Sequence, residues 1–546
     1  MPTDVPQVQP ALISALRADL RAADYTVART EELLGEVAVA ALRRENPLPA
    51  RRALAGSSDP AALLFSLLTL GSTATRAEVD AALPSLGASG AEELGILGIA
   101  DLDPGGPGSA PPPLRALIDL APYAAQDDLG EISWWIASDP SELATGRPLG
   151  PEHVLGVGGA SLTLARITPR ERVSRVLDLG CGGGIQALHA SRHAEHVVAT
   201  DLSDRALAMA AFNAALNQIE LDLRHGSLLE PVAGERFDLI VSNPPFVITP
   251  RQEPVPENRT AGSTGGWTYR DGGRAGDTLL AELLAALPAH LSPGGRAVLL
   301  GNWEIPADAD WDTHPCSWLE PARTDGVDAW VIQREQEDPA QYAETWARDG
   351  GITDRDPAWT ALVGDWLEDF ASRDTAAIGF GYLLLRRPGD PGTAAGIGSA
   401  PAAGPTSDEP RRPGVLRTEH QVGSGSGTLG EHLAAGLRML SELEDLDDDA
   451  LLASRPVRAA DVVERRHLTP GAWDPLLIEL VQGAGLGRVV PADQILAGTV
   501  GALDGTLTLG QVLGAVCALT DSDADAERSR ILPLVRDLLI SRMVTL

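Results

Sequence analysis

Phe237-Asp238-Leu239-Ile240-Val241-Ser242-Asn243-Pro244-Pro245-Phe246 is the stretch on which the reading of the fold turns. Its first half is an apolar run with the length and β-branched content of a buried strand. Two consecutive prolines cannot continue a ladder, so the strand stops there and the chain is held extended. In an open α/β sheet, an Asn at the carboxyl end of a strand points into the crevice where ligands bind. The Asn243 side-chain oxygen and the Pro244 carbonyl form two acceptors on a rigid frame. They can hold both hydrogens of a planar –NH2 group while the Phe246 ring stacks on its flat face. On this reading Asn243, Pro244, Pro245 and Phe246 are the catalytic residues. Taken alone, Asn-Pro-Pro-Phe also reads as a plain turn after a strand.

Upstream, Arg175-Val176-Leu177-Asp178-Leu179-Gly180-Cys181-Gly182-Gly183-Gly184 reads as a strand entering a glycine turn, followed by a helix from Ile185 to His193. Glycines let the backbone approach a ligand, and the start of the helix offers unpaired N–H groups. A second strand, His196 to Thr200, ends at Asp201. An acid about twenty residues after the glycine turn suits a bidentate grip on ribose hydroxyls. Leu202 would lie against the base. A helix from Ser203 to Asn217 and a third strand, Asp222 to Arg224, lead to His225-Gly226-Ser227-Leu228. Gly182, Gly184 and Ala187 also fit the weak dinucleotide fingerprint G-x-G-x-x-A.

Asp178-x-Gly180-x-Gly182-x-Gly184 resembles the adenosylmethionine motif, and Asn243-Pro244-Pro245-Phe246 resembles the signature of S-adenosylmethionine-dependent amino methyltransferases. With the acid Asp178 in the strand end, the pair of motifs favours the methyl donor over a dinucleotide. Val241 to Ile248, followed by Asp271-Gly272-Gly273-x-x-Gly276-Asp277, looks most like the release-factor glutamine methyltransferases and the related methyltransferase small domain enzymes. The resemblance covers residues of roughly 150–388. It implies an α/β fold with a Rossmann-like, seven-stranded, mostly parallel sheet. It also implies S-adenosyl-L-methionine as cofactor, held by Asp178, Gly180, Cys181, Gly182, Gly184, Asp201, Leu202, Ser227, Leu228 and Asn243. Many relatives carry an acid where Ser227 stands, reading the adenine amino group; here a hydroxyl must serve. The glycine-rich lead-in makes Gly158 to Ser161 candidate lid residues, or a plain connecting loop. The implied reaction is in-line methyl transfer to nitrogen, without a metal.

Residues 1–115 read as a helical domain. Leu12, Leu16 and Leu20 recur every fourth position, Asp59-Pro60 starts a helix through Leu70, and Arg76 to Leu83 forms another. A turn-rich hairpin from Leu94 onward makes a winged-helix-like module possible, either for docking substrate or as a helical cap. Leu114 to Leu120 and Ile132 to Ile136 read as strands leading into the methyltransferase domain, residues 116–388. The long polar loop 247–276 offers Trp267, Tyr269 and Arg270, with Phe246, as substrate-binding residues of a lid; a surface insertion is the alternative. Helix Thr278 to His290, turn Ser292 to Gly295 and strand Arg296 to Gly301 continue the core. Ala329 to Ile332 and Ala376 to Leu385 would form the terminal hairpin, with helix between Tyr342 and Phe370. Residues 389–427 are a Pro/Gly/Ser-rich linker by composition. Residues 428–546 read as a mainly helical domain, with helices at Leu429 to Leu443, Trp473 to Leu480 and Ile531 to Ile540.

At 546 residues the chain is too long for one core. Its formal net charge is −33 and all 43 basic residues are arginines. Without an Arg-rich cluster to neutralise phosphates, this acidity lowers the odds of a nucleic-acid substrate. A protein substrate, specifically a glutamine side-chain amide, is therefore favoured. An exocyclic adenine or guanine amine of RNA or DNA is the alternative, and a non-catalytic S-adenosylmethionine-binding scaffold is a third class. No apolar run approaches the ~20 residues of a membrane span, and Met1 to Pro10 lacks a signal-peptide pattern. The three scattered cysteines point to a reduced, cytoplasmic protein without a cysteine-rich metal site.

Overall fold

The computed structural model describes residues 5–100, 111–146, 149–150, 152–245, 247–250, 276–389 and 412–546. Six helices open the chain: α1 (Pro10–Ala22), α2 (Val27–Leu42), α3 (Leu48–Leu54), α4 (Pro60–Leu68), α5 (Arg76–Ala82) and α6 (Gly87–Glu93). Asp59 caps α4 with Pro60 in its first turn, and Thr75 and Glu78 close a capping box on α5. Strand β1 (Leu97–Ile99) pairs antiparallel with β2 (Leu114–Ala116), and Ala74 bridges to Leu114. The order is therefore α4, bridge, α5, α6, β1, β2. The partner of β1 is thus Leu114–Ala116 rather than a segment within the expected hairpin.

A long antiparallel hairpin follows, β3 (Asp119–Asp127) with β4 (Gly130–Ser138). Short α7 (Glu142–Thr145) and α8 (Gly159–Ile167) lead into the core, so the candidate lid Gly158 to Ser161 is the start of a helix. The core strands are β5 (Val173–Leu179), β6 (Ala194–Asp201), β7 (Asp222–His225), β8 (Phe237–Ser242), β9 (Leu291–Pro306), β10 (Asp328–Glu337) and β11 (Thr375–Arg386). Helices α9 (Ile185–Ala190), α10 (Asp204–Leu216), α11 (Thr278–Ala286) and α12 (Thr313–Thr324) connect them. So do α13 (Pro339–Asp349) and α14 (Trp359–Ala371), two helices where one was expected.

The sheet runs β7-β6-β5-β8-β9-β11-β10. The first five strands are mutually parallel, and β11 lies antiparallel between β9 and β10. This is a Rossmann-like sheet, with the expected terminal hairpin in place. Its two faces are lined by alternating residues. Val298, Leu300, Tyr382 and Leu384 pack on one side; Ala297, Leu299, Leu383 and Leu385 pack on the other.

Three expectations are corrected. The sheet has eight strands, because β12 (Leu416–His420) adds parallel to β10. Part of the expected linker is therefore core; residues 390–411 lie outside the described set. Strand β9 begins at Leu291, running through the expected Ser292 to Gly295 turn, with a register shift where it pairs with β8. The C-terminal region has helices α15 (Gly430–Glu444), α16 (Asp448–Ala453), α17 (Gln494–Gly501), α18 (Leu509–Thr520) and α19 (Ala524–Ile540). It also has strands β13 (Val457–Arg458), β14 (Val462–Leu468), β15 (Pro475–Gln482), β16 (Val489–Ala492) and β17 (Val544–Thr545). The expected helix at Trp473 to Leu480 is thus the strand β15. This region shares one apolar core with the sheet, through Leu433 and Leu437 of α15 beside Trp330 and Leu384.

Candidate active site

The carboxyl ends of β5, β6, β7 and β8 bring most of the expected residues to one edge. Asp178 is fully buried at the end of β5, and its Oδ2 accepts the Ala187 N–H at 2.8 Å. This bond ties the first turn of α9 back to the strand and shapes the glycine turn between them. Gly180, Gly182 and Gly184 adopt φ of 71°, 53° and 83°, a region open to glycine at little cost. The Gly180 and Cys181 N–H groups both donate to the Thr200 carbonyl at 2.9 Å, locking the turn onto β6. Asp201 holds it from the other side: its two oxygens accept the Gly182 and Ser203 N–H groups, each at 2.9 Å.

Burial raises both carboxyls. That of Asp178 is pushed up to about 7, by burial first and then by the charge of Asp201; burial also raises Asp201. The Cys181 thiol is buried and held well above its ordinary range, so it acts as a small apolar wall. Leu202 is 62% exposed at the sheet edge, with its carbonyl 2.9 Å from the His225 ring. Ser227 and Leu228 sit in the turn after β7, Leu228 with φ of 47°.

These residues fit S-adenosylmethionine. A Cβ added to Gly180 or Gly182 would meet nothing within 4 Å, whereas one on Gly184 would meet the Ala210 Cβ at 3.0 Å. The first two glycines therefore leave open space where a ligand's backbone-like end can approach, and the third allows helix packing. Buried Asp178 shapes the turn behind that space, and the partly buried Asp201 keeps oxygen lone pairs for hydroxyls. When bound, the cofactor supplies an electrophilic methyl group.

The acceptor side is built on β8. The Ser242 hydroxyl donates to the Leu179 carbonyl at 2.8 Å, fixing the ends of β8 and β5 together. The Asn243 Oδ1 that follows is buried and, among the described residues, has no hydrogen-bond partner. Leaving a buried acceptor unpaired costs about 1–3 kcal/mol, which makes this atom a candidate ligand contact. Pro244 is buried and Pro245 half-buried behind it. Phe246, Trp267, Tyr269 and Arg270 lie outside the described residues.

Three residues that hold the site were not legible as such. Tyr342 of α13 and Trp366 of α14 grip the main chain just beyond the motif. The Ile248 N–H donates to the Tyr342 hydroxyl at 2.9 Å, and the Trp366 indole N–H donates to the Ile248 carbonyl at 2.6 Å. The Tyr342 hydroxyl also accepts from Asn302 Nδ2 at 2.8 Å. Tyr342 is fully buried, stacked on Phe380 with ring centroids 5.8 Å apart and edge-on to Phe370 at 5.6 Å. Asn213 of α10 does the same for the cofactor turn. Its Nδ2 donates to the Gly183 carbonyl at 2.8 Å and to the Ala137 carbonyl at 2.9 Å, and its Oδ1 accepts the Ala137 N–H at 2.7 Å. One turn later Asn217 pairs in the same two-bond manner with Trp135. Two asparagines four apart thus serve as a strand partner for β4. An asparagine inside an otherwise apolar helix was the available signal.

Residues 157–255 match the methyltransferase small domain family, and residues 22–104 match a domain of unknown function, DUF7059. The ribosomal protein uL3 glutamine methyltransferase of Bradyrhizobium diazoefficiens is 32% identical over 164 residues, covering 29% of this chain and 50% of that protein. The release factor glutamine methyltransferase of Geobacter sulfurreducens is 38% identical over 123 residues, 22% of this chain and 42% of that protein. This chain thus spans about half the length of the curated relatives it matches. The solved structure of a T. thermophilus 16S rRNA N2 G1207 methyltransferase, in complex with AdoMet and guanosine, aligns over 52% of this chain and 68% of its own. It does so at 19% identity with a TM-score of 0.25. By its glycine turn, strand order and family match, the core between residues 157 and 255 is a methyltransferase small domain of the class I, S-adenosylmethionine-dependent kind.

Proposed function

We propose that this protein transfers a methyl group from S-adenosylmethionine to a planar amide nitrogen, the side chain of a glutamine in a protein substrate. One observation carries the reading: the buried Asn243 Oδ1 is, among the described residues, an unpaired acceptor at the end of β8, on a frame stiffened by Pro244 and Pro245. It takes one hydrogen of the acceptor –NH2 and the Pro244 carbonyl takes the other, with Phe246 as the stacking platform. Two such bonds draw the nitrogen lone pair out of conjugation and aim it along the transfer line. Catalysis is then mainly orientation and electrostatic matching. The methylated nitrogen is strongly acidic and loses its proton without a dedicated base. Trp267, Tyr269 and Arg270 line the acceptor entry in this proposal.

The glutamine methyltransferases among the relatives support a protein acceptor, as does a net charge of −33, which repels a polyanion. Three cysteines without a disulfide support a reducing, cytoplasmic setting. Among the described residues no helix is long and apolar enough to cross a membrane, and no cluster of His, Cys, Asp and Glu is suited to a metal.

The test is transfer of label from methyl-labelled S-adenosylmethionine into host lysate, comparing wild type with Asn243→Ala and then digesting with protease or nuclease. Asn243-dependent label that protease removes and nucleases leave is the expected result. Label lost to a nuclease would move the acceptor to a base amine. Label that depends on the protein but not on Asn243 would remove Asn243 from the chemistry, and no label above that of the lysate alone would make the scaffold reading the next one to test.

A further inference from the structure

β14 is an edge strand: β15 lies on one side, and among the described residues no strand lies on the other. From Val463 to Leu468 every residue is exposed, so this part of the β14–β15 hairpin stands clear of the core as an arm. Its tip carries Trp473 at 94% and Leu476 at 79% exposure. Long exposed edges that carry apolar residues pair with other chains unless they are blunted.

The direction of the main-chain groups follows from the ends of the strand. The Gly483 N–H donates to the Asp461 carbonyl, whereas the Val462 N–H turns back to Ala459. Antiparallel alternation then aims the N–H and C=O groups of residues 463, 465 and 467 at β15. Those of Glu464 and Arg466 point outward.

We propose that a second copy of this chain docks on this edge, the two β14 strands pairing antiparallel about a two-fold axis at Arg465. This register sets Glu464 opposite Arg466 of the second copy, twice, with outward-facing main-chain groups on both. Within one copy Arg466 already touches Glu464 on the same face, so the four side chains close an alternating ring of charge. Moving the axis one residue either way destroys this. At Arg466 it opposes two arginines and leaves Glu464 against a leucine; at Glu464 it opposes two glutamates. The two Arg465 side chains meet across the axis on the other face, where Glu479 neutralises each at 3.3 Å. The contact is isologous and closed, joining two three-stranded sheets into one of six strands.

The full chain is tested by size-exclusion chromatography with light scattering across a concentration series. Wild type is expected to be a dimer. Glu464→Arg and Arg466→Glu should each raise the dimer dissociation constant at least tenfold, because each sets like charges opposite one another. An equimolar mixture of the two single variants should restore the dimer, since one copy then carries two arginines and the other two glutamates. The double variant E464R/R466E should restore it as well. Neither side chain is part of the core, Arg466 being 60% and Glu464 28% exposed, so unchanged thermal denaturation confirms that folding is intact. A wild type that stays monomeric, single variants that remain dimeric, or a mixture that fails to associate would each overturn the proposal.

Discussion

Replacing Tyr342 by Phe removes one oxygen and keeps the ring. That oxygen accepts two buried hydrogen bonds, from the Ile248 N–H at 2.9 Å and from Asn302 Nδ2 at 2.8 Å. Ile248 and Asn302 are each only 1% exposed, so water cannot readily replace the lost acceptor. At about 1–3 kcal/mol for each donor left unpaired, the variant should lose roughly 2–4 kcal/mol of stability, with partial relaxation favouring the lower end. The second consequence concerns the acceptor frame. Ile248 lies five residues past Asn243, and with one of its two anchors gone the segment can shift. A displacement of about 1 Å at a reacting group can cost about 10²-fold in rate. We therefore expect kcat for methyl transfer to fall by about 10- to 100-fold. The dissociation constant of S-adenosylmethionine should stay within about twofold, because the glycine turn lies on the other side of β8. Initial rates of label incorporation and calorimetric titration of the cofactor measure the two quantities separately. If stability drops as expected while kcat is unchanged, the grip on Ile248 is structural only and the positioning role is refuted.

Two further outcomes follow from the cofactor turn. Gly182→Ala places a methyl group in open space in front of the turn at φ 53°; it should cost about 1–2 kcal/mol of stability and weaken cofactor binding at least 30-fold by titration. Gly184→Ala instead drives a Cβ to within 3.0 Å of Ala210 and should lower the melting temperature more and the cofactor affinity less. Asp178 gives a pH signature. Its carboxyl is raised from 3.8 to about 7 in the folded protein, so the native state holds its proton more firmly than the unfolded one. Stability then falls as pH rises from about 4 to 7 and is flat above. Asp178→Asn keeps an acceptor for the Ala187 N–H without the charge. It should be more stable than wild type at pH 8 by about 1–4 kcal/mol, since each tenfold difference in proton affinity between folded and unfolded chain is worth about 1.4 kcal/mol. That advantage should disappear at pH 4 in thermal denaturation, and an advantage that persists there would assign it to packing instead.

The elements legible in the sequence were those with local signals. The run Phe237 to Val241, the proline pair and the glycine turn each announce themselves within ten residues, and the terminal hairpin does so by apolar strands. Strand β12 was hidden because Leu416-Arg417-Thr418-Glu419-His420 follows a Pro/Gly stretch and is polar at four of its five positions. Its order comes from outside: the free edge of β10 supplies the ladder, and Arg417 is held over the Trp330 ring at 6.0 Å and against Asp537 at 2.8 Å. The run Trp473 to Leu480 is the familiar ambiguity of a short apolar segment, which periodicity cannot assign to helix or strand. The alternating burial of Ile478, Leu480 and Gln482 decides it once β14 and β16 flank the strand. Of the candidate site, the motif residues were legible and the groups that position them were not. Nothing in the neighbourhood of Tyr342 or Trp366 marks them as partners of residue 248.

That difference has a physical consequence for how the site can vary. The cofactor half closes over short stretches of chain: Asp178 reaches Ala187 nine residues away, and Asp201 reaches Gly182 nineteen away. The acceptor half closes over 94 residues to Tyr342 and 118 to Trp366. Because loop-closure entropy grows only slowly with length, the distant contacts carry little extra cost once the sheet has formed. They also come from α13 and α14, which pack on β11 and have no part in the glycine turn. Substitutions in these two helices can therefore move the Ile248 segment, and with it the frame on which the proposed acceptor amide would sit, while leaving the glycine turn intact. The acceptor is thus tuned from outside the motif. On the proposed function, this is why the motif points to a planar amino group without naming the molecule that presents it.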